Sequence, residues 1–220
     1  MTLSTWWNRT RYRLYAPVYD RVARPLERGR EQAIERLDVE PGDRILILGC
    51  GTGSDLAYLP DGVRVTALDV TPAMVRRTEK RAEKLGLEVD ARVGDAQSLP
   101  FDDDAFDAVL LHLILSVVPD PDAVVAETDR VLAPEGRVSI FDKFVDEGTK
   151  PSLPRRLLNP VARFLFSDIT RQLGPMVSNT RLDIEPRESF LGGLYTVTVA
   201  RRTTGEHNDD RNSVVKTSLD

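Results

Sequence analysis

The 220-residue sequence predicts a single α/β domain: a seven-stranded, mostly parallel sheet with helices on both faces and an antiparallel hairpin at its C-terminal end. Three observations carry this reading. From Arg44 to Asp142, short apolar runs alternate with amphipathic stretches, the pattern of repeated βα units around a parallel sheet. A glycine-rich turn follows the first apolar run directly. Near the C-terminus, two further runs flank Gly192-Gly193 as the strands of a hairpin would. A 41% hydrophobic content over this length fills one core, so residues 1–202 are read as one domain.

Taken in order, Val22 to Leu37 has helical periodicity and stops before the Pro41-Gly42 turn. Arg44 to Leu48 is the first strand, and the helix after the glycine turn is short because Pro60-Asp61-Gly62 halts it. Val63 to Asp69 is the second strand. Thr71-Pro72 then opens a helix, with threonine as cap and proline where no N–H is needed, and Gly86 closes it after Leu85. Glu88 to Val93 and Phe106 to Leu113 follow as strands, the latter apolar enough to be central. Pro121 to Leu132 is a helix and Gly136 to Asp142 the fifth strand. Leu182 to Phe190 and Leu194 to Arg201 close the sheet. The stretch 145–180 carries Pro151, Pro154, Pro160 and Pro175 and reads as an insertion between strands five and six. Residues 203–220 are polar, with little to bury, and are expected to be a disordered tail.

Composition narrows the function classes. A net charge of -5 with lysine at only five positions gives no general attraction to phosphates, so nucleic acid is not expected as a partner. One cysteine, Cys50, and two histidines, His112 and His207, provide no metal-ligand spacing. No run of about 18 apolar residues occurs, and the N-terminus carries charges and tryptophans where a signal peptide is apolar, so a cytoplasmic location is expected.

The chemistry concentrates in Gly49-Cys50-Gly51-Thr52-Gly53-Ser54. Glycines placed directly after a buried strand let the backbone turn sharply and approach a ligand. Asp69 ends the next strand, twenty residues after Gly49, an offset at which a carboxylate reaches ribose hydroxyls. The plain alternative is an ordinary tight turn, with Asp69 capping the helix that begins near Pro72. A dinucleotide fingerprint would require its third glycine at Ser54, whereas here the third glycine is Gly53.

GCGTG after an apolar strand, ALD at the end of the next, VGDAQSLPF after the third and FDAVLLHLILSVVPDP together resemble class I S-adenosylmethionine-dependent methyltransferases of the ubiquinone and menaquinone C-methyltransferase type. The resemblance spans Tyr12 to Phe144 and implies a Rossmann-like fold and S-adenosylmethionine as cofactor. It implies that Gly49, Cys50, Gly51 and Gly53 form the loop under the methionine and ribose, that Asp69 binds the ribose, and that Val70 lies beside the adenine. It also implies that Asp95 and the Ala96 N–H read the adenine edge, and that His112 lines the methionine end. Read locally, Asp95 is a turn aspartate after Gly94, and His112 is a core histidine with satisfied nitrogens. The sequence departs from the family at Ile47, where many members have an acidic residue. That departure raises a different reading, a cofactor- or partner-binding protein that kept the fold without turnover.

Tyr12 to Asp20 resembles a lid segment of the same family, so residues 1–21 are read as a lid with Tyr15 and Tyr19 over the cofactor; amphipathic packing of the tyrosines is the alternative. Candidate catalytic residues are His112, Asp142 with Lys143 beside it, and Tyr19. Phe141 to Phe144, followed by the cluster 155–166, resembles soluble bacterial phosphatidylethanolamine N-methyltransferases. Arg155, Arg156 and Arg163 interleaved with Leu157, Leu158, Val161, Phe164 and Phe166 would suit a peripheral contact with anionic lipid, joined by Trp6 and Trp7. The same face would equally cover the active site or form a dimer contact. The acceptor implied is a small molecule or lipid, quinone-like or a phospholipid headgroup.

Overall fold

A computed structural model describes residues 24–145, 148, 156–157, 159 and 168–203. A single 3-10 turn, Arg24–Leu26, leads into α1, Glu27–Glu35; strand β1, Arg44–Leu48, follows. After the glycine loop comes a short 3-10 segment, Ser54–Tyr58, then β2, Arg64–Asp69, and α2, Pro72–Leu85. The remaining elements are β3, Val89–Val93; β4, Phe106–His112; α3, Pro121–Val131; β5, Leu132–Asp142; α4, Leu173–Val177; β6, Leu182–Ile184; β7, Glu188–Phe190; and β8, Tyr195–Arg202.

The sheet order is β3-β2-β1-β4-β5-β8-β6, with β7 also paired to β8. The first five strands run parallel, and β8 is antiparallel to β5, β6 and β7. Strand alternation divides the core between two faces. In β1, Ile45 and Ile47 pack with Ile34 and Leu37 toward α1, while Leu46 and Leu48 pack with Val124 and Val125 of α3. Helices therefore cover both faces, as the sequence predicts.

Three local departures have physical causes. The predicted strand Leu182 to Phe190 is two strands: Ile184 pairs with Ala200 but Glu188 with Val197, a register shift of one residue around Pro186. Proline has no N–H for the ladder, so one extra residue is accommodated there as a bulge and the strand count rises to eight. The fourth strand stops at His112 because Leu113 takes φ +60. Thr71 makes no side-chain cap to α2; its own N–H instead donates to Asp69 Oδ1 at 2.8 Å. Gly86 does close α2 in the left-handed conformation, and Asp120 caps α3 by accepting from the Ala123 N–H.

Candidate active site

The strand order reverses between β1 and β4, and the C-terminal ends of β1 to β4 frame a cleft at this switch point. The cleft is lined by the ends of all four strands and by the loop following β4.

Gly49, Gly51 and Gly53 all have positive φ. At Gly49 a side chain is also sterically barred, since a Cβ would sit 2.9 Å from Ile114 Cδ1. At Gly51 an added Cβ would meet nothing closer than the Gly49 carbonyl oxygen at 3.9 Å, so this backbone faces open space in the cleft. Gly53 is turned away and packs on Thr78 of α2. Cys50 also points away: its thiol is buried and accepts from Thr78 Oγ1 at 3.3 Å. Burial, reinforced by the nearby Asp69 charge, pushes that thiol up to about 12. Ile47 is 2% exposed and packs on the α1 face, so no β1 side chain brings charge to the loop.

Asp69 lies at the end of β2. Its Oδ2 accepts from the Gly51 N–H at 3.0 Å and its Oδ1 from the Thr71 N–H. Burial raises its pKa, and the two N–H bonds offset part of that rise. Each oxygen retains a lone pair, so the carboxylate can still accept from a ligand hydroxyl. Val70 and Thr71 continue the wall. Beyond β3, Asp95 Oδ1 accepts from the Gln97 backbone N–H at 3.0 Å and from its side-chain amide at 2.9 Å. Its Oδ2 has no hydrogen bond among the described residues, while Asp95, Ala96 and Gln97 all line the cleft.

The opposite wall is apolar: Leu113, Ile114, Val117, Val118 and Pro119. Leu113 holds its left-handed φ while its N–H donates to the Phe141 carbonyl at 2.7 Å. A leucine there carries backbone strain of about 1–2 kcal/mol that glycine would avoid. The loop is braced from behind. Asp142, fully buried, accepts from the Ser116 N–H at 2.9 Å and from its neighbour Lys143 N–H at 2.8 Å. Arg171 donates to the carbonyls of Leu115 and Val118, and the Asp168 N–H to that of Ser116.

The expected site residues therefore divide. Gly49, Gly51, Asp69, Val70, Asp95 and Ala96 come together around the cleft, whereas Cys50 and Gly53 support the loop from its far side. His112 reaches the lining, but both ring nitrogens are engaged, with Asp55 Oδ1 at 2.7 Å and Ser139 Oγ at 2.9 Å, and the side chain is 1% exposed. Asp142 is not part of the lining and spends its oxygens on backbone N–H groups. Neither has the geometry of a base facing the cleft. Lys143 holds its Nζ 5.2 Å from the Tyr195 ring centre, and burial lowers its pKa against the opposing charge of Asp142. Tyr15, Tyr19, Trp6, Trp7 and most of 155–166 lie outside the described residues; within that cluster, Leu157 is 70% exposed. The sequence reading did not single out Thr71, Met74, Gln97 or the Leu113 to Pro119 wall. The wall stood inside a quoted motif, FDAVLLHLILSVVPDP, and Leu113's position directly after a central strand was its available signal.

Comparisons with known proteins identify the family. A methyltransferase domain model matches residues 46–140. A phosphatidylethanolamine N-methyltransferase of Cereibacter sphaeroides is 37% identical over 164 residues, covering 70% of this chain and 78% of that protein. A 2-phytyl-1,4-naphtoquinone methyltransferase of Synechococcus elongatus is 39% identical over 139 residues, 58% of this chain and 59% of its own length. The solved structure of an S-adenosylmethionine-dependent methyltransferase from Aquifex aeolicus superposes with a TM-score of 0.64 at 18% identity, covering 86% of this chain and 97% of that one, a likeness of fold. The chain belongs to the methyltransferase family. It is an enzyme whose cofactor is S-adenosylmethionine.

Proposed function

We propose that this methyltransferase acts on a small molecule or lipid with an apolar body, a quinone-like ring or a phospholipid headgroup with its chains, held against the Leu113 to Pro119 wall. The observation that carries the reading is the asymmetry of the cleft: two carboxylates with unused acceptor capacity on one side, and on the other Leu113, Ile114, Val117, Val118 and Pro119. Asp69 would take the ribose hydroxyls, Asp95 and the Ala96 N–H the adenine edge, and Val70 the adenine face. Gly49 and Gly51 would lie beneath the methionine portion. When bound, S-adenosylmethionine supplies a methyl group on an already activated carbon. The protein's share is then alignment and exclusion of water. The apolar wall excludes water, and the Asp142, Arg171 and Asp168 bonds behind it hold its shape. Among the described residues, the unused carboxylate capacity of the cleft is that of Asp69 and Asp95, which this reading gives to the nucleoside, and that favours an acceptor that is nucleophilic without deep proton abstraction. The named relatives, which methylate phosphatidylethanolamine and a phytylnaphthoquinone by their names, support a lipid-like acceptor.

The test is transfer of radiolabelled methyl from S-adenosylmethionine to pooled phospholipids, quinols and water-soluble amines by the full chain. Label is expected in an organic-extractable product from the lipid or quinol pool. Label appearing only in water-soluble amines would sink the lipid-like reading.

A further inference from the structure

Below the floor of the cleft runs a buried series of polar groups that the cofactor assignment leaves unused. Arg30 of α1, Asp55 of the 3-10 segment, His112 of β4 and Ser139 of β5 are 5%, 2%, 3% and 0% exposed. Arg30 Nη1 donates to both Asp55 oxygens, at 2.7 and 2.8 Å. His112 bridges Asp55 through Nδ1 and Ser139 through Nε2, and Ser139 Oγ donates to the Ala33 carbonyl at 2.9 Å. Four elements, distant in sequence, thus meet in one connected network.

Asp55 is held ionised: burial alone would push its carboxyl up, but the Arg30 guanidinium and His112 outweigh burial and hold it well below the usual carboxylate range. An ionised carboxylate only accepts, so Nδ1 of His112 donates to it. Ser139 Oγ, between Nε2 and the Ala33 carbonyl in the last turn of α1, fixes the opposite edge of the ring.

Asp55 is two residues beyond Gly53, and the loop between is tight. The Gly53 N–H donates to the Cys50 carbonyl at 2.9 Å and the Leu56 N–H to the Gly53 carbonyl at 3.1 Å. Displacing Asp55 therefore displaces the loop that carries Gly49 and Gly51. β1 contributes only apolar side chains here, Ile47 among them, so the polar restraint on the loop comes from Asp55 together with Thr78, whose Oγ1 donates to the Gly51 carbonyl at 3.0 Å. Directional, charge-assisted bonds in a dry interior place a backbone more tightly than apolar packing alone.

We infer that Arg30, Asp55, His112 and Ser139 form a buried clamp that positions the glycine loop against the methionine portion of the cofactor, with His112 serving as a positioning residue. His112 thus acts on the site through the loop, and its ring does not touch the reacting atoms. The inference rests on the cofactor placement proposed above. The clamp acts on the loop side of the cleft, whereas Asp95 and Ala96 hold the adenine edge from β3 without it. Loosening the clamp should accordingly weaken ligands that carry the amino-acid portion and spare those that lack it.

The protein has only two histidines, so nitrogen NMR of the full-length His207→Gln variant, labelled at histidine, reports on His112 alone. Nδ1 is expected to carry a hydrogen shared with Asp55; a bare lone pair on Nδ1 overturns the clamp as drawn. Calorimetry on Asp55→Asn and on the milder Ser139→Ala then reads function. S-adenosylhomocysteine affinity should fall about tenfold in the first and about threefold in the second, while 5′-methylthioadenosine, which lacks the amino-acid portion, stays within about twofold of wild type. Variants that melt earlier yet bind both ligands as wild type does would show a purely structural network and overturn the positioning role. An equal loss for both ligands would overturn its assignment to the methionine end. The underlying placement fails separately, if Asp69→Ala leaves S-adenosylhomocysteine affinity unchanged, and the nitrogen spectrum then still decides the state of the network.

Discussion

The two halves of the cleft are built on opposite plans. Around β1, β2 and β3 the polar groups stand at the surface of the cleft: the backbone N–H groups of Gly51 and Thr71 tie down Asp69, and Gln97 ties down Asp95, leaving acceptor capacity for a ligand. Around β4 and β5 the polar groups are underneath: His112, Ser139 and Asp142 are buried and satisfied, and the face shown to the cleft is Leu113 to Pro119. The same residue types, acids and a histidine at strand ends, keep acceptor capacity toward the cleft on one side and support a wall on the other. What decides between the two is which way each strand-end side chain points and what meets it there.

Replacing a residue in the exposed polar half should have the largest effect on binding. Asp69→Ala removes the proposed acceptor for ribose and the anchor of the Gly51 N–H together, and S-adenosylhomocysteine affinity measured by calorimetry is expected to fall on the order of 100-fold. A loss under about threefold would erase the distinction between the halves.

This contrast also explains what was legible in the sequence. The parallel sheet, its helices and the loop could be read because glycine at a strand end and alternating apolar runs specify backbone geometry directly. Asp69 and Asp95 were legible for a related reason, since both sit in turns at fixed offsets from that backbone. His112 and Asp142 were named as catalytic candidates because the sequence places them at strand ends, but it does not show that Asp55 and Ser139 await one and the Ser116 N–H the other. Those partners lie 26 to 57 residues away, with no shared periodicity. The bulge at Pro186 escaped for a simpler reason, in that one extra residue leaves the apolar alternation nearly intact.

A smaller effect should appear in the buried half, as acid sensitivity. Asp55 is held below its ordinary range by Arg30 and His112 against the cost of burial. Its contribution to stability is thus complete above the unfolded carboxylate value of about 3.9 and is lost as pH falls through the lower folded value. Denaturant unfolding should show wild type losing stability below about pH 4 more steeply than Asp55→Asn. Parallel pH profiles for the two proteins would mean that the carboxylate is not stabilised as described.

The smallest effect is expected at Cys50, inside the glycine loop by sequence but on its far side in space. Its thiol, pushed up to about 12, should resist thiol reagents in the native protein at neutral pH. Cys50→Ala should leave S-adenosylhomocysteine affinity within about threefold of wild type. Rapid labelling that is blocked by S-adenosylhomocysteine would instead put the sulfur in the cleft.

The proposed division of the cleft gives its polar half to the nucleoside and its apolar half to the acceptor. A crystal structure of the complex with S-adenosylhomocysteine decides it. Ribose hydroxyls are expected to donate to Asp69, the adenine edge to lie at Asp95 and Ala96, and the thioether sulfur to face Leu113. A nucleoside bound against the Leu113 to Pro119 wall, with Asp69 still occupied only by the N–H groups of Gly51 and Thr71, would contradict it.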